Sequence, residues 1–181
     1  MIERRRRLLH KIHDRLLEAY GPRDWWPAES PFEMIVGAFL TQNTAWTNVE
    51  KAISALRANG LLTPEAMGAT EQNALAEFIR PCGYYNQKAK KLLGFCRHIE
   101  ENWGGDLPAF LAQDMDRLRD ELLSIHGIGP ETADSIVLYA GGHPSFVVDA
   151  YTYRIFSRHD WIAENLSYDE LRDFFMDCLE P

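Results

Sequence analysis

One turn constrains this chain more than any other stretch. Gly127-Ile128-Gly129 lies between two apolar patterns of helical period. Leu118, Leu122 and Leu123 precede it; Ala133, Ile136, Val137 and Ala140 follow it. Pro130 suits the first position of the second helix, where its missing N–H costs nothing. The spacing predicts two helices joined by a hairpin turn over about residues 114–141. Glycines at the turn take dihedrals that side chains forbid and let another backbone come close. Exposed amides at the start of a helix make a site for an anion such as a phosphate. A short apolar run, Phe146-Val147-Val148, then ends in Asp149 at the mouth of another helix.

At 181 residues the chain makes one domain, or two small helical lobes, and its 46% apolar content can fill a core. No run approaches the ~20 apolar residues of a membrane span. Arg4 to Arg7 open the chain, but no apolar signal-peptide core follows. The reading is a soluble, monomeric, cytoplasmic protein. Cys82, Cys96 and Cys178 are odd in number and widely spaced, which suggests neither a zinc site nor a disulfide framework. A net charge of −8 argues against a protein that coats nucleic acid through bulk charge, though not against a local basic face.

The rest of the chain reads as helices. Residues 2–20 carry a stripe of Leu8, Leu9, Ile12, Leu16 and Leu17, ended by Gly21-Pro22. The arginines before the stripe are a solvated helix start, with a nucleic-acid patch as the alternative. Trp25-Trp26 either close the core over a loop or form an aromatic wall for a planar ligand. Ser30-Pro31-Phe32-Glu33 is a capped helix start with Glu in the third position, and the helix to Gln42 is apolar enough to lie mid-core. A helix to about Asn59 and one or two short ones over residues 63–80 follow. Gly83-Tyr84-Tyr85-Asn86-Gln87-Lys88-Ala89 opens another helix, with Leu92, Leu93, Phe95, Cys96 and Ile99 inward and its lysines on a solvated face. Trp103 to Pro108 forms a loop, consistent with a link between lobes. Helices follow Asp149 and Ser167. The fold expected is all-α, with about ten helices and no sheet.

A helix–hairpin–helix followed by a carboxylate, with the Gly141-Gly142-His143-Pro144 loop between, resembles the endonuclease III-like DNA glycosylases. The closer resemblance is to the 3-methyladenine DNA glycosylases of the endonuclease III type. It rests on Trp25-Trp26-Pro27, Leu40-Thr41-Gln42-Asn43-Thr44, Arg80 to Lys90, Gly127-Ile128-Gly129-x-Glu131-x-Ala133-Asp134 and Val147-Val148-Asp149, across most of residues 25–155. It implies a single domain of two helical lobes with a cleft between them. It also implies a bacterial enzyme acting at the nucleoid on double-stranded DNA with a damaged base. By this resemblance Asp149 is catalytic and Gln42 is the wedge that fills the gap left by a flipped nucleotide; a polar helix cap is the plainer reading of that segment. Trp46 stacks on the flipped base, Trp25 and Trp26 line the same pocket, and Glu131 is its acidic residue. Gly127, Ile128, Gly129, Thr132 and Lys88 meet the DNA backbone.

The chemistry agrees with that assignment. Breaking a base–sugar bond passes through a cation-like sugar, which a fixed carboxylate stabilises. The bond is out of reach in stacked duplex, so the nucleotide is flipped. Asp149 also reads as a plain N-cap, and the two roles are compatible. Glu131 stands where bifunctional relatives carry a Lys that forms a Schiff base. A carboxylate forms none, so the expectation is a monofunctional glycosylase. Alkylated purines are cationic, and an indole face attracts a cation by ~0.5–2 kcal/mol.

No cofactor is required for such chemistry. The four-cysteine iron–sulfur loop of endonuclease III is absent, and a monovalent cation at Gly127 and Gly129 of the hairpin is the one ion expected. The family continues past the end of this chain at Pro181 with a further helix, and in the alkylbase enzymes a carbamylated Lys there has no counterpart here. Two alternatives stand beside this reading. One is an endonuclease III-like glycosylase for damaged or mismatched pyrimidines. The other is a non-catalytic helix–hairpin–helix module that binds DNA.

Overall fold

The computed structural model describes residues 2–23, 25–163 and 165–179, so the expectation attached to Pro181 lies outside the described residues. In chain order the helices are α1 (Ile2–Tyr20), α2 (Pro31–Leu40), α3 (Trp46–Ala58), α4 (Pro64–Gly68), α5 (Gln72–Phe78), α6 (Tyr85–Trp103), α7 (Leu107–Leu111), α8 (Met115–Ser124), α9 (Pro130–Ser135), α10 (Ala150–Arg158) and α11 (Tyr168–Met176). A 3₁₀ turn (Arg80–Cys82) precedes α6, and a π turn (Ile136–Ala140) continues α9. Among the described residues there is no strand, as the periodicity predicts. None of the described helices is long and apolar enough to cross a membrane.

The chain separates into two compact units: residues 28–143, and the two chain ends, residues 1–27 with 144–181. Trp103 to Pro108 therefore does not link lobes. It lies inside the central unit, where Asp106 caps α7 through the amide of Ala109 at 2.8 Å.

In the central unit α2 is the innermost element. Ser30 caps it through the amide of Glu33 at 3.2 Å, Pro31 takes its first turn, and every residue from Phe32 to Leu40 is buried. A fully buried Leu or Phe contributes roughly 1.5–3 kcal/mol, so this one helix anchors much of the unit. Glu33, in the third position, is buried and accepts two bonds from Arg57 Nη2 of α3, at 2.7 and 2.8 Å.

A second polar tie fastens α8 to α6 and α7. Glu121 accepts from His98 Nε2 at 2.7 Å, Trp103 Nε1 at 2.7 Å and Gln113 Nε2 at 2.9 Å. Burial alone raises this carboxyl, but the bonds from Trp103, His98 and Gln113 outweigh it and hold the group below the ordinary Glu range. A carboxyl lowered in the fold stabilises it fully above the unfolded value of about 4.3, and that contribution is lost as pH falls through the folded value. Glu121→Gln, which turns an N–H toward one of these donors, should cost about 1–3 kcal/mol at pH 7 in urea denaturation. The gap to wild type should narrow as pH falls from about 4.3 through the lowered folded value of Glu121.

The terminal unit builds a separate core from Leu9, Val148, Leu171, Phe175 and Cys178. Phe146 stacks on Phe175 with centroids 3.9 Å apart, and Phe156 meets the same ring edge-on at 4.8 Å. Of the expected α1 stripe only Leu9 is buried; Leu16 and Leu17 are exposed. Two of the four arginines are half-buried and tied to α11 and the residues just after it. Arg5 donates to Phe174 O at 3.2 Å and covers its ring at 4.0 Å, and Arg6 Nε donates to Cys178 O at 3.1 Å. Both satisfy carbonyls at the end of α11, where cations are favoured.

Candidate DNA-binding and catalytic site

The hairpin turn is built by one glycine and opened by another. Gly127 has φ +96°, and a Cβ there would meet the stem of Lys91 at 2.6 Å. Both the dihedral and the space require glycine. Gly129 has φ −98°, which any residue adopts, and a Cβ there would meet nothing within 4 Å. Its missing side chain therefore leaves room for something outside the fold. The amides of Gly127, Gly129 and Thr132 have no protein acceptor among the described residues, and Pro130 has no N–H. Such a row of amides at a helix start suits a phosphate oxygen.

Ile128 departs from expectation. Its amide already donates to Ile125 O at 3.1 Å and its side chain is buried, so it shapes the turn instead of offering a contact. At the turn where a cation is expected, Gly127 O accepts from Gln42 Nε2 at 3.3 Å and Gly129 O from Ala133 N at 2.9 Å, and each carbonyl keeps a second lone pair.

Behind the turn, Asp134 is fully buried and bound by Arg119 through two bonds, Nε to Oδ1 at 3.0 Å and Nη2 to Oδ2 at 3.2 Å. This fork clamps α8 to α9, and breaking such a buried pair typically costs about 3–5 kcal/mol. Ser135 Oγ donates to Glu131 O at 2.7 Å, and the next turn widens so that Gly141 N bonds Ile136 O at 2.9 Å. A Cβ at Gly141 would meet Val137 O at 2.8 Å, so the π turn closes only over glycine. Glu131 itself lies in the first turn of α9 with its side chain exposed.

Gln42 and the hairpin meet directly. Gln42 follows α2, and its Nε2 donates to Gly127 O and to Thr132 Oγ1 at 3.2 Å, while its Oε1 accepts from Lys91 Nζ at 3.0 Å. Gln42, Asn43, Tyr84, Gln87, Lys88 and Lys91 line a small cavity of about 170 Å³. Tyr84 has no site role in the sequence reading. It is 71% exposed and sits at φ +45°, a left-handed conformation costing a non-glycine residue roughly 1–2 kcal/mol. The signal available was the tyrosine pair itself, of which the start of α6 half-buries only Tyr85.

Lys88 corrects the sequence reading. It is buried, and its ammonium donates to Leu40 O at 2.9 Å, Thr44 Oγ1 at 2.7 Å and Cys82 O at 2.9 Å. Burial pulls its pKa below the ordinary lysine value; Cys82 opposes the shift and Lys91 adds to it. It ties the end of α2 and the following loop to α6 from inside, and offers no ammonium to a phosphate.

The other expected residues divide between the units. Trp46 opens α3, is half-buried, and donates its indole N–H to Glu50 at 3.1 Å. Trp25 and Trp26 belong to the terminal unit; Trp25 is 70% exposed, so it closes no core, and Trp26 is half-buried. Asp149 also belongs there, at the N-cap of α10. Its Oδ1 accepts from Thr152 N at 2.7 Å and Thr152 Oγ1 at 2.8 Å. No described residue donates to its Oδ2.

The cysteines do not fit an iron–sulfur cluster. All three are buried, and burial raises the Cys82 thiol and pushes Cys96 up to about 12, which disfavours the thiolate a cluster needs. Among the described residues no group of His, Cys, Asp and Glu is placed to hold a metal.

The family model of the HhH-GPD superfamily base excision DNA repair proteins matches residues 36–181. A Methanocaldococcus jannaschii protein named as a DNA repair glycosylase is 48% identical over 97% of this chain and 80% of its own length. It is archaeal, so a bacterial source does not follow from it. Endonuclease III of Thermotoga maritima is 32% identical over 73% of this chain and 58% of its own length. The H. pylori 3-methyladenine DNA glycosylase bound to 1,N6-ethenoadenine superposes with a TM-score of 0.81 at 34% identity, covering 95% of this chain and 80% of that one.

Proposed function

Because the chain belongs to the HhH-GPD superfamily of base excision DNA repair proteins, we propose that it excises alkylated purines of the 3-methyladenine type from duplex DNA by hydrolysis, without cutting the strand. The observation that carries the chemistry is Asp149. Its Oδ1 is held by two bonds from Thr152, and no described residue donates to its Oδ2. A carboxylate fixed by one oxygen and open at the other can face a sugar that gains positive charge, or take the proton of the attacking water. Support for the substrate is the likeness to the H. pylori enzyme. A cationic base also loses its sugar bond readily and needs no strong acid to leave. Glu131 supports hydrolysis without a Schiff base, because it supplies no amine. The open amides of Gly127, Gly129 and Thr132 would hold a phosphate, and Gln42 would fill the stack.

The test is base release from methylated duplex DNA. The expected products are free 3-methyladenine and an intact strand with an abasic site, with nothing trapped by borohydride. Strand cleavage or a trapped covalent adduct would remove the hydrolytic reading. The likeness to Thermotoga endonuclease III favours a second reading, a pyrimidine substrate. Trp46→Leu separates the two. It should lower excision of a cationic base by roughly 2- to 30-fold more than excision of a neutral one, the equivalent of ~0.5–2 kcal/mol of cation–π attraction. Equal losses on both bases would favour the pyrimidine reading.

A further inference from the structure

We propose that Lys91 is a positioning residue for Gln42, fixing the orientation of the wedge and coupling it to the backbone-binding turn; this rests on the reading of Gln42 as the wedge. Three partners surround the Gln42 side chain, and their chemistry allows one orientation. Lys91 Nζ can only donate and Gly127 O can only accept. Oε1 therefore faces Lys91 at 3.0 Å, and Nε2 faces Gly127 O at 3.3 Å and Thr132 Oγ1 at 3.2 Å. A flipped amide would set N–H against an ammonium and oxygen against a carbonyl. Without Lys91 the oxygen end loses its only donor among the described residues.

The same lysine touches the turn. Its stem fills the space where Gly127 lacks a side chain: an added Cβ would meet Lys91 Cγ and Cδ at 2.6 Å and Cε at 2.8 Å. One side chain thus packs under the strand of open amides and holds the amide that enters the duplex. A wedge already ordered in the free protein has less freedom to lose when it inserts. Lys88, three residues earlier, spends its ammonium on internal acceptors, so Lys91 is the α6 lysine that reaches the wedge.

The test compares Lys91→Met, which keeps the stem but not the donor, Lys91→Arg, which keeps a donor, and each in a Gln42→Ala background. Lys91→Met should slow single-turnover base release about tenfold or more, as misplaced groups do, with undamaged-duplex affinity changed less than about threefold. Lys91→Arg should restore most of the rate, and Lys91→Met should cost nothing further once Gln42 is Ala. A loss of equal size in both backgrounds would overturn the proposal. So would a loss confined to duplex affinity with a salt slope lower by about one, the mark of a phosphate contact. A second readout needs neither DNA nor chemistry. In the free protein the Gln42 side-chain amide should give a shifted, exchange-protected proton pair that collapses to solvent-exposed values in Lys91→Met and not in Lys91→Arg. An unchanged Gln42 signal in Lys91→Met overturns the role of Lys91 even if the parent releases no base, and base release by the parent is what judges the glycosylase reading.

Discussion

Replacing Asp149 with Asn is expected to lower single-turnover base release about 10³-fold, with fold and duplex affinity intact. The substitution separates two jobs that one side chain performs. As a cap, Asp149 uses Oδ1, which takes the Thr152 amide and hydroxyl. Asn caps a helix as well as Asp does and presents the same oxygen to the same donors. What changes is the other end: an NH₂ replaces Oδ2, and the negative charge is gone. A neutral amide stabilises a cationic sugar poorly and accepts no proton from water. Asp149→Ala removes both jobs, so it should add about 1 kcal/mol of instability to the same loss of rate. The measurement is a rate on methylated duplex paired with a denaturation curve. A loss below tenfold for the Asn variant would remove Asp149 from the chemistry and leave it a cap. Equal binding of undamaged duplex by parent and variant would not choose between an enzyme and a passive DNA-binding module; released base does.

How far this was legible in the sequence follows from the range of the interactions involved. Local signals carried the helices. Ser30-Pro31 set the start of α2, Ser167 and Glu170 close a reciprocal cap at the start of α11, and Gly127-Ile128-Gly129 with Pro130 marked the hairpin. Each acts within a few residues, so the spelling of the chain contains it. Two lobes were legible but not which residues make up each, because that depends on which helices share a core. Leu9 of α1 packs with Leu171 and Phe175 of α11, more than 160 residues away, and periodicity states only that a face is apolar. For the same reason Leu16 and Leu17 could be placed on a stripe but not known to be exposed. Asp134 looked like one more polar residue of a motif; its burial against Arg119 depends on the crossing of α8 and α9. The candidate site was legible as a set of residue types in order. That Gln42 is tied to Gly127, Thr132 and Lys91 was not, since those residues lie about 50 to 90 positions apart.

The burial of Lys88 is legible in the periodicity of α6. The buried stripe of α6 runs Ala89, Leu92, Phe95, Cys96 and Ile99, and Lys88 falls on it, four residues before Leu92 and seven before Phe95. A surface reading and a buried reading of this lysine lead to opposite results for Lys88→Met. A phosphate contact would leave stability unchanged and reduce the salt slope of duplex binding by about one. The internal tie predicts the reverse. Methionine keeps the stem but removes three charge-assisted bonds, to Leu40 O, Thr44 Oγ1 and Cys82 O, of which Cys82 O keeps the Thr44 hydroxyl as a donor. Bonds to charged groups contribute about 1.5–3 kcal/mol each, offset in part because no ammonium need be desolvated. The expected net loss is about 3–5 kcal/mol, close to the cost of breaking other buried charged networks. It should appear as a large drop in urea midpoint with the salt slope unchanged. Because these bonds hold the end of α2 against the start of α6, the variant should also loosen the segment that carries Gln42. Base release should then fall even at temperatures where the variant is folded. A stable Lys88→Met protein with a reduced salt slope would return the lysine to the DNA backbone.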